Sequence, residues 1–256
     1  MNPYLKHLKK VEFVITYACT GRCRHCSEGD HAGRGVSIDP SVAAQLVRTV
    51  ASAFPIETVM TFGGEPLLYP EAVFAILSAA TELGVPGRQV ITNGYFTKDP
   101  RELCRVVQGL SAAGVNDLLL SVDAFHQETI PAEGVLFFAQ EARRMGIPLR
   151  LQPAWLVGPK HDNPYNRRTR ELLEFFAAEG FSENEGNVIF PEGNARKYLS
   201  DYFSAQIPEN PYVEDPYDLR CLSVEPDGHL LNGNLYDCDI MELLEKYNPS
   251  EVEGYV

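Results

Sequence analysis

Short apolar runs alternate with longer amphipathic ones along this chain, and that alternation limits its fold more than any other feature. Strand-like runs fall at Val11–Thr16, Thr58–Phe62, Gln89–Thr92, Asp117–Val122, Pro148–Gln152 and Val188–Phe190. Helix signatures lie between them. "SIDPSVAAQLVRTVASAF" starts with Asp39 as N-cap and Pro40 at the first helical position. "PEAVFAILSAATELG" stops at Gly84, and "KDPRELCRVVQGLSAAG" repeats the Asp-Pro start and Gly stop. Further helices are expected over Glu133–Met145 and Tyr165–Glu179, with a short closing one in "DIMELLEKYNPSE". The strand-to-strand interval is about 30 residues, the length of a βαβ unit with a parallel sheet. Apolar runs without alternation suit strands covered on both faces. Six such units predict an α/β fold, a partial (βα)6 parallel barrel rather than a closed one of eight. The barrel is expected over residues 1–205, with a short, irregular C-terminal extension over 206–256 packed on it.

At 256 residues and 45% hydrophobic content the chain can bury a sizeable core. No apolar run approaches the roughly 20 residues that span a bilayer. The first residues alternate, contain Glu12 and lack a small-residue cleavage site, so no signal peptide and no membrane partner are expected. A cytoplasmic location follows as the expectation, where thiols stay reduced. The formal charge is −13, and residues 207–256 hold 12 acidic against 2 basic side chains. That balance argues against nucleic acid as a partner. The acidic extension reads as a solvated face or as an attraction for a basic partner.

Three of the six cysteines stand within eight residues, in "CTGRCRHC" at Cys19, Cys23 and Cys26. The loop follows the first strand, at the end of a parallel barrel where reactive sites lie. Gly21 lets it turn tightly. Three thiolates there can hold three irons of a 4Fe–4S cluster, which normally takes four cysteines, leaving one iron open.

The C-x3-C-x2-C loop resembles that of radical S-adenosylmethionine (radical SAM) enzymes, with His25 at the usual aromatic position before the third cysteine. Gly63-Gly64-Glu65-Pro66 after the second strand is similar to that family's GGEP motif. Thr92-Asn93-Gly94 after the third strand and Ser121-x-Asp123 at the end of the fourth are similar too. The resemblance covers about residues 10–200. It implies a cluster on Cys19, Cys23 and Cys26, with SAM chelating the open iron. It further implies cleavage of SAM to a 5′-deoxyadenosyl radical that abstracts hydrogen from a substrate, and an external one-electron donor such as a flavodoxin or ferredoxin. The cofactor carries the hard chemistry, so no catalytic side chain is assigned.

The expected SAM-binding residues are His25, Gly63, Gly64, Glu65, Asn93, Ser121, Asp123 and Gln152. The glycines suit close backbone approach to a ligand. Glu65 suits an ammonium group. Ser121 and Asp123 are two apart on extended chain, so both point one way, toward ribose hydroxyls. Asn93 reads as a ligand or as a turn residue. Cys104 reads as a core thiol. "RCLSVEPDGHLLNGNLYDC" resembles the first half of a SPASM or twitch domain, with Cys221 and Cys238 at cluster-ligand positions and the later cysteines missing. Arg143, Arg144, Arg150, Lys160, His161, Arg167, Arg168 and Arg170 read either as substrate-anion recognition or as a solvated face. His126 and Trp155 are candidate substrate contacts. A peptide or protein side chain is the favoured substrate. A small molecule, a glycyl-radical activase and a non-catalytic iron–sulfur carrier or sensor remain alternatives.

Overall fold

A computed structural model describes residues 2–29, 35–203 and 210–251. The strands expected from the sequence form β1 (Lys10–Val14), β2 (Thr58–Phe62), β3 (Gly87–Thr92), β4 (Asp117–Ser121) and β5 (Leu149–Gln152). All pair in parallel with their sequence neighbours, in register from Lys10↔Thr58 through Ser121↔Gln152. The expected fifth strand continues past Pro153 as β6 (Ala154–Trp155), because proline has no N–H for the ladder. The sixth strand, β7 (Asn187–Val188), pairs in parallel with β6, and Leu151 bridges Glu183 in the same direction. The strand order does not return on itself, so the barrel is partial.

The helices α1 (Pro40–Ala53), α2 (Pro70–Glu82), α3 (Pro100–Ala112), α4 (Ala132–Arg144) and α5 (Pro164–Ala178) start at prolines or just after one. Asp39 accepts from the Ser41 and Val42 N–H groups, and Asp99 from Arg101, caps that contribute about 1 kcal/mol each. Gly84 stops its helix with φ at +69°. A short α6 (Gly193–Tyr198) was not legible beforehand.

Strand alternation sorts the residues. Val11, Phe13 and Ile15 of the β1 segment, Val59, Val90, Leu118, Leu120 and Leu151 join the core with the helices. Their neighbours Glu12, Val14, Met60, Phe62, Ile91, Leu119 and Ser121 line an inner cavity. A second apolar cluster of Cys23, Phe125, Ala154, Leu156, Ile189, Ala195 and Leu199 lies beneath the cysteine loop.

The segment expected to be irregular contains β8 (Cys221–Val224), β9 (His229–Leu230), β10 (Gly233–Asn234) and α7 (Ile240–Lys246). β8 adds to the free edge of β1 in parallel, with Lys10 opposite Cys221. Leu222 and Val224 turn into the core and Ser223 outward, and the unpaired β1 edge takes up the segment. Asn2 ties the two chain ends together, donating to the Leu244 and Tyr247 carbonyls at 3.1 and 2.7 Å. The expected boundary at 205/206 lies outside the described residues. Among the described residues no helix is long and apolar enough to cross a membrane.

Candidate functional site

A cavity of about 460 Å³ opens at the C-terminal ends of β1–β5 and runs down the inside of the sheet. Cys19, Cys23 and Cys26 line its upper end with His25, Gly63, Gly64, Asn93, Ser121, Asp123 and Gln152. Of the expected site residues only Glu65 is absent from the wall.

The cysteine loop is held from several elements. Gly21 N–H donates to Cys19 Sγ at 3.3 Å, and a Cβ on Gly21 would stand 3.3 Å from Cys23 Sγ and 3.6 Å from Cys19 Sγ. Arg22 N–H donates to Thr129 Oγ1, and Arg24 pairs with Glu128. Asn194, on α6, donates from its backbone to the Cys26 carbonyl at 2.8 Å and from its side chain to the Cys23 carbonyl at 3.1 Å. A Cβ on Gly193 would overlap the Ser27 carbonyl oxygen. Gly193 and Asn194 escaped the sequence reading because their partners lie over 160 residues away; the bare "GN" pair was the only trace.

Gly63 and Gly64 do allow a close approach, but to the chain after β1. Gly64 N–H donates to Thr16 O at 2.7 Å and Glu65 N–H to Ala18 O at 2.8 Å. Gly63 has φ at +137°, and its Cβ would stand 2.5 Å from Thr16 O.

Glu65 corrects the expectation of a free ammonium acceptor. Its carboxylate is completely buried and accepts from Leu67 N–H, Thr92 Oγ1–H and Asn93 N–H at 3.0, 2.7 and 2.8 Å. Burial still pushes its pKa up to about 7 against those three donors.

Asp123 is engaged in the same way. One oxygen accepts from the Phe125 and His126 N–H groups at 2.9 and 3.0 Å. The other accepts from Ala154 N–H at 3.2 Å and meets His126 Nδ1 at 2.8 Å. Burial raises its pKa, but the charge and hydrogen bond of His126 outweigh that and bring it down to about 2. Both oxygens of Asp123 are thus engaged within the protein. Ser121 faces the cavity, and its hydroxyl has no protein partner among the described residues.

Asn93 shapes a turn and also lines the cavity. Its Oδ1 accepts from Tyr95 N–H, Gly94 takes the positive φ of 70°, and Nδ2 donates to Thr20 Oγ1 at 3.1 Å and reaches Cys19 Sγ at 3.6 Å. Gln152 lines the cavity and accepts from Asn184 through its side-chain oxygen. His25 packs against Phe125 and His126, both with ring centroids at 4.9 Å, and its buried Nδ1 has no partner among the described residues. Burial lowers its pKa to about 4.

The residues fit an iron–sulfur cluster. Burial first, then the charge of Glu65, pushes the Cys19 thiol up to about 11. Burial, Asp123 and the other two cysteines hold Cys23 well above its ordinary range. As thiolates the three would repel one another here and want a cation among them, and bound iron would reverse the shifts.

Other candidates fall away. Among the described residues no group of three or more metal-ligating side chains gathers around Cys221 or Cys238. Cys104 is half-buried on α3 and reaches Glu141 at 3.5 Å instead of joining the core, because it lies on the helix flank. Of the basic cluster, Arg144, Arg150, Arg167 and Arg168 pair with Glu141, Asp117, Asp162 and Glu171, and no member lines the cavity.

The Radical SAM superfamily matches the sequence over residues 13–149, more than half the chain. This chain belongs to the radical SAM superfamily. Its cofactors are those of the superfamily, a 4Fe–4S cluster and SAM. No curated protein matches the sequence. Among solved structures, the radical SAM chain is similar to Streptococcus suis SuiB bound to S-adenosylmethionine. The TM-score is 0.63 at 14% identity, covering 94% of this chain and 66% of that one. It is also similar to anSMEcpe with bound AdoMet and Cp18Cys peptide (TM-score 0.60, 13% identity, 94% and 81% coverage). BtrN in complex with AdoMet and 2-DOIA gives TM-score 0.54 at 15% identity, covering 94% and 83%. At these identities the likeness is one of fold. The chain spans just under two thirds of the SuiB chain.

Proposed function

We propose that this chain is a radical SAM enzyme that abstracts hydrogen from a peptide or protein side chain. The observation that carries the reading is the convergence of Cys19, Cys23 and Cys26 with Gly63, Gly64, Asn93, Ser121 and Gln152 on one cavity at the strand ends. An electron carrier has no use for such a chamber beside its cluster. When bound, the cluster supplies one electron, taken from an external donor of the flavodoxin or ferredoxin type, that cleaves SAM and yields a hydrogen-abstracting 5′-deoxyadenosyl radical.

The chain's own residues bind, orient and exclude water. Cys19, Cys23 and Cys26 hold three irons. The free Ser121 hydroxyl and the Gln152 amide serve the nucleoside, and the Gly63–Gly64 backbone borders it. Glu65 and Asp123 act through others: Glu65 locks the loop after β2 to the turn after β3, and Asp123 locks the turn after β4 to β6. The apolar throat of Val14, Met60, Phe62, Ile91 and Leu119 excludes water from the reacting carbon. In this reading residues 1–205 hold the cofactors and 206–256 are an extension, whose β8 lies along the β1 edge.

A peptide substrate is favoured by the bound peptides of two structural neighbours, SuiB with its precursor peptide SuiA and anSMEcpe with Cp18Cys. The cavity's far end, lined by Lys10, Glu12, Phe190 and Tyr212, gives such a chain room to enter. The test is anaerobic cluster reconstitution followed by dithionite and SAM. Release of 5′-deoxyadenosine, with deuterium arriving from a labelled peptide, supports the reading. A cluster that reduces normally yet leaves SAM intact, with every peptide offered, favours the electron carrier.

A further inference from the structure

We propose that, before the cluster is in place, Cys23, His25 and His126 bind one divalent transition-metal ion of the zinc class, and that this ion and the cluster exclude each other. The exclusion rests on the reading of Cys23 as a cluster ligand; the metal site does not.

One sulfur and two imidazole nitrogens, from Cys23, His25 and His126, lie within 4.8 Å of one another. Cys23 is buried and the two histidines are partly so. A tetrahedral zinc ion with bonds of about 2.0–2.3 Å wants its donors roughly 3.5 Å apart. The remaining closure, about 1 Å, is of the size that rotating two imidazoles provides. Zinc takes thiolate and imidazole donors together and, where it keeps an open position, three protein ligands; the same trio of one sulfur and two nitrogens also suits copper.

Two independent observations point to a ligand here. The first is His25 Nδ1, which is buried with no hydrogen-bond partner among the described residues. A buried polar nitrogen without a partner is expensive, and a metal would satisfy it. The second is the support behind His126. Its Nδ1 is bound to Asp123 Oδ2 at 2.8 Å, which leaves Nε2 as the free donor. Asp123 is itself pinned by the Phe125, His126 and Ala154 N–H groups. A carboxylate that orients a histidine toward a metal is the usual outer-shell arrangement. The cysteine is held as well, through Asn194 on its carbonyl. Phe125 backs the His25 ring and is itself stacked on Tyr165, with centroids 4.6 Å apart.

Both occupants need the Cys23 thiolate. A metal-loaded chain therefore cannot accept the cluster until the ion leaves, and cluster-loaded chain has only two of the three donors to offer.

The test uses full-length apoprotein under anaerobic conditions, titrated with Co²⁺ as a spectroscopic probe. The expected result is stoichiometric binding with thiolate-to-cobalt and tetrahedral d–d bands. His25→Phe keeps a ring against Phe125, and His126→Gln keeps a donor for Asp123. Each should weaken Co²⁺ binding by at least about tenfold, whereas Cys19→Ala should leave it nearly unchanged. Circular dichroism checks that each variant is folded; His25→Phe decides alone if His126→Gln is not. Loss of binding in Cys19→Ala with retention in both histidine variants would overturn the proposal, since the ion would then sit among the cysteines. Absence of stoichiometric binding would overturn it too. In the second arm, Zn²⁺ preloading should block iron uptake in the native chain but not in His25→Phe. Zinc and a full cluster on one chain would refute the exclusion. Failure of iron uptake without zinc would count against the proposed function and leave the cobalt result standing.

Discussion

Replacing Gly64 by alanine should separate the two loops that build the top of the cavity. The added Cβ would overlap the Ala18 carbonyl oxygen and stand 2.7 Å from both Ala18 C and Tyr17 O, where ordinary contact begins at 3.4 Å. Every close atom is backbone, so no side chain can swing aside. Relief requires the loops to part by about 1 Å, which carries the Gly64→Thr16 and Glu65→Ala18 hydrogen bonds, now 2.7 and 2.8 Å, out of range. Leaving those buried groups unpaired costs about 2–5 kcal/mol in total. For a chain of this size that is a fall of roughly 5–15 °C in melting temperature. The same shift moves Ala18 and with it Cys19, so iron content after reconstitution should fall in parallel. Gly84→Ala is the control: its φ is +69° but nothing lies within 4 Å of the new Cβ, so only about 1–2 kcal/mol is at stake and iron uptake is unaffected. Differential scanning calorimetry and iron assay read both effects. A Gly64→Ala chain that melts within about 2 °C of the parent and takes up full iron would refute the reasoning.

Single alanine substitutions at Cys19, Cys23 or Cys26 should abolish an iron content of about four per chain, while Cys221→Ala with Cys238→Ala should preserve it; loss of half the iron in the double variant would reveal a second cluster. Ser121→Ala should leave stability within about 0.5 kcal/mol, because its hydroxyl holds nothing in the protein, yet raise the KM for SAM; an unchanged KM removes Ser121 from the nucleoside site. Asp123→Asn strips His126 of its charged partner and places an N–H₂ group against backbone donors, an expected loss of about 3–5 kcal/mol in urea denaturation; a loss under about 1 kcal/mol would show that the buried pair is not what holds β4 to β6. Iodoacetamide at pH 8 should label exposed Cys238 well before Cys221, whose thiol is pushed up by burial and then by Glu12; mass spectrometry showing equal rates would contradict the placement of Cys221.

The parts of the site legible in the sequence were those fixed by local chemistry. Asp39–Pro40 and Asp99–Pro100 announced two helix starts because capping acts over two or three residues. Cys19, Cys23 and Cys26 could be read as one group because their spacing is short, and they do line one cavity. Glu65 and Asp123 were recognised as site residues, yet their roles turned. Each carboxylate lost its freedom to donors from its own loop and from another strand: Leu67 with Thr92 and Asn93 for Glu65, Phe125 and His126 with Ala154 for Asp123. Asn194 went unseen because it has no local signature, whereas "EPDGH" reads as a hairpin turn and does join β8 to β9; the pairing of β8 with β1 is set by residues about 200 positions apart.

The sequence by itself determined which chemistry this chain carries and in what order it is laid out, since a parallel strand followed by a loop places every such motif at one end of the sheet. Tertiary structure alone decided which groups remain free to meet a ligand. Ser121 keeps a bare hydroxyl while Asp123, two residues on, is fully enclosed. That difference is set by strand register against β5 and by the turn after β4, where Phe125 and His126 close on Asp123 and Ala154, about 30 positions away, supplies a further donor.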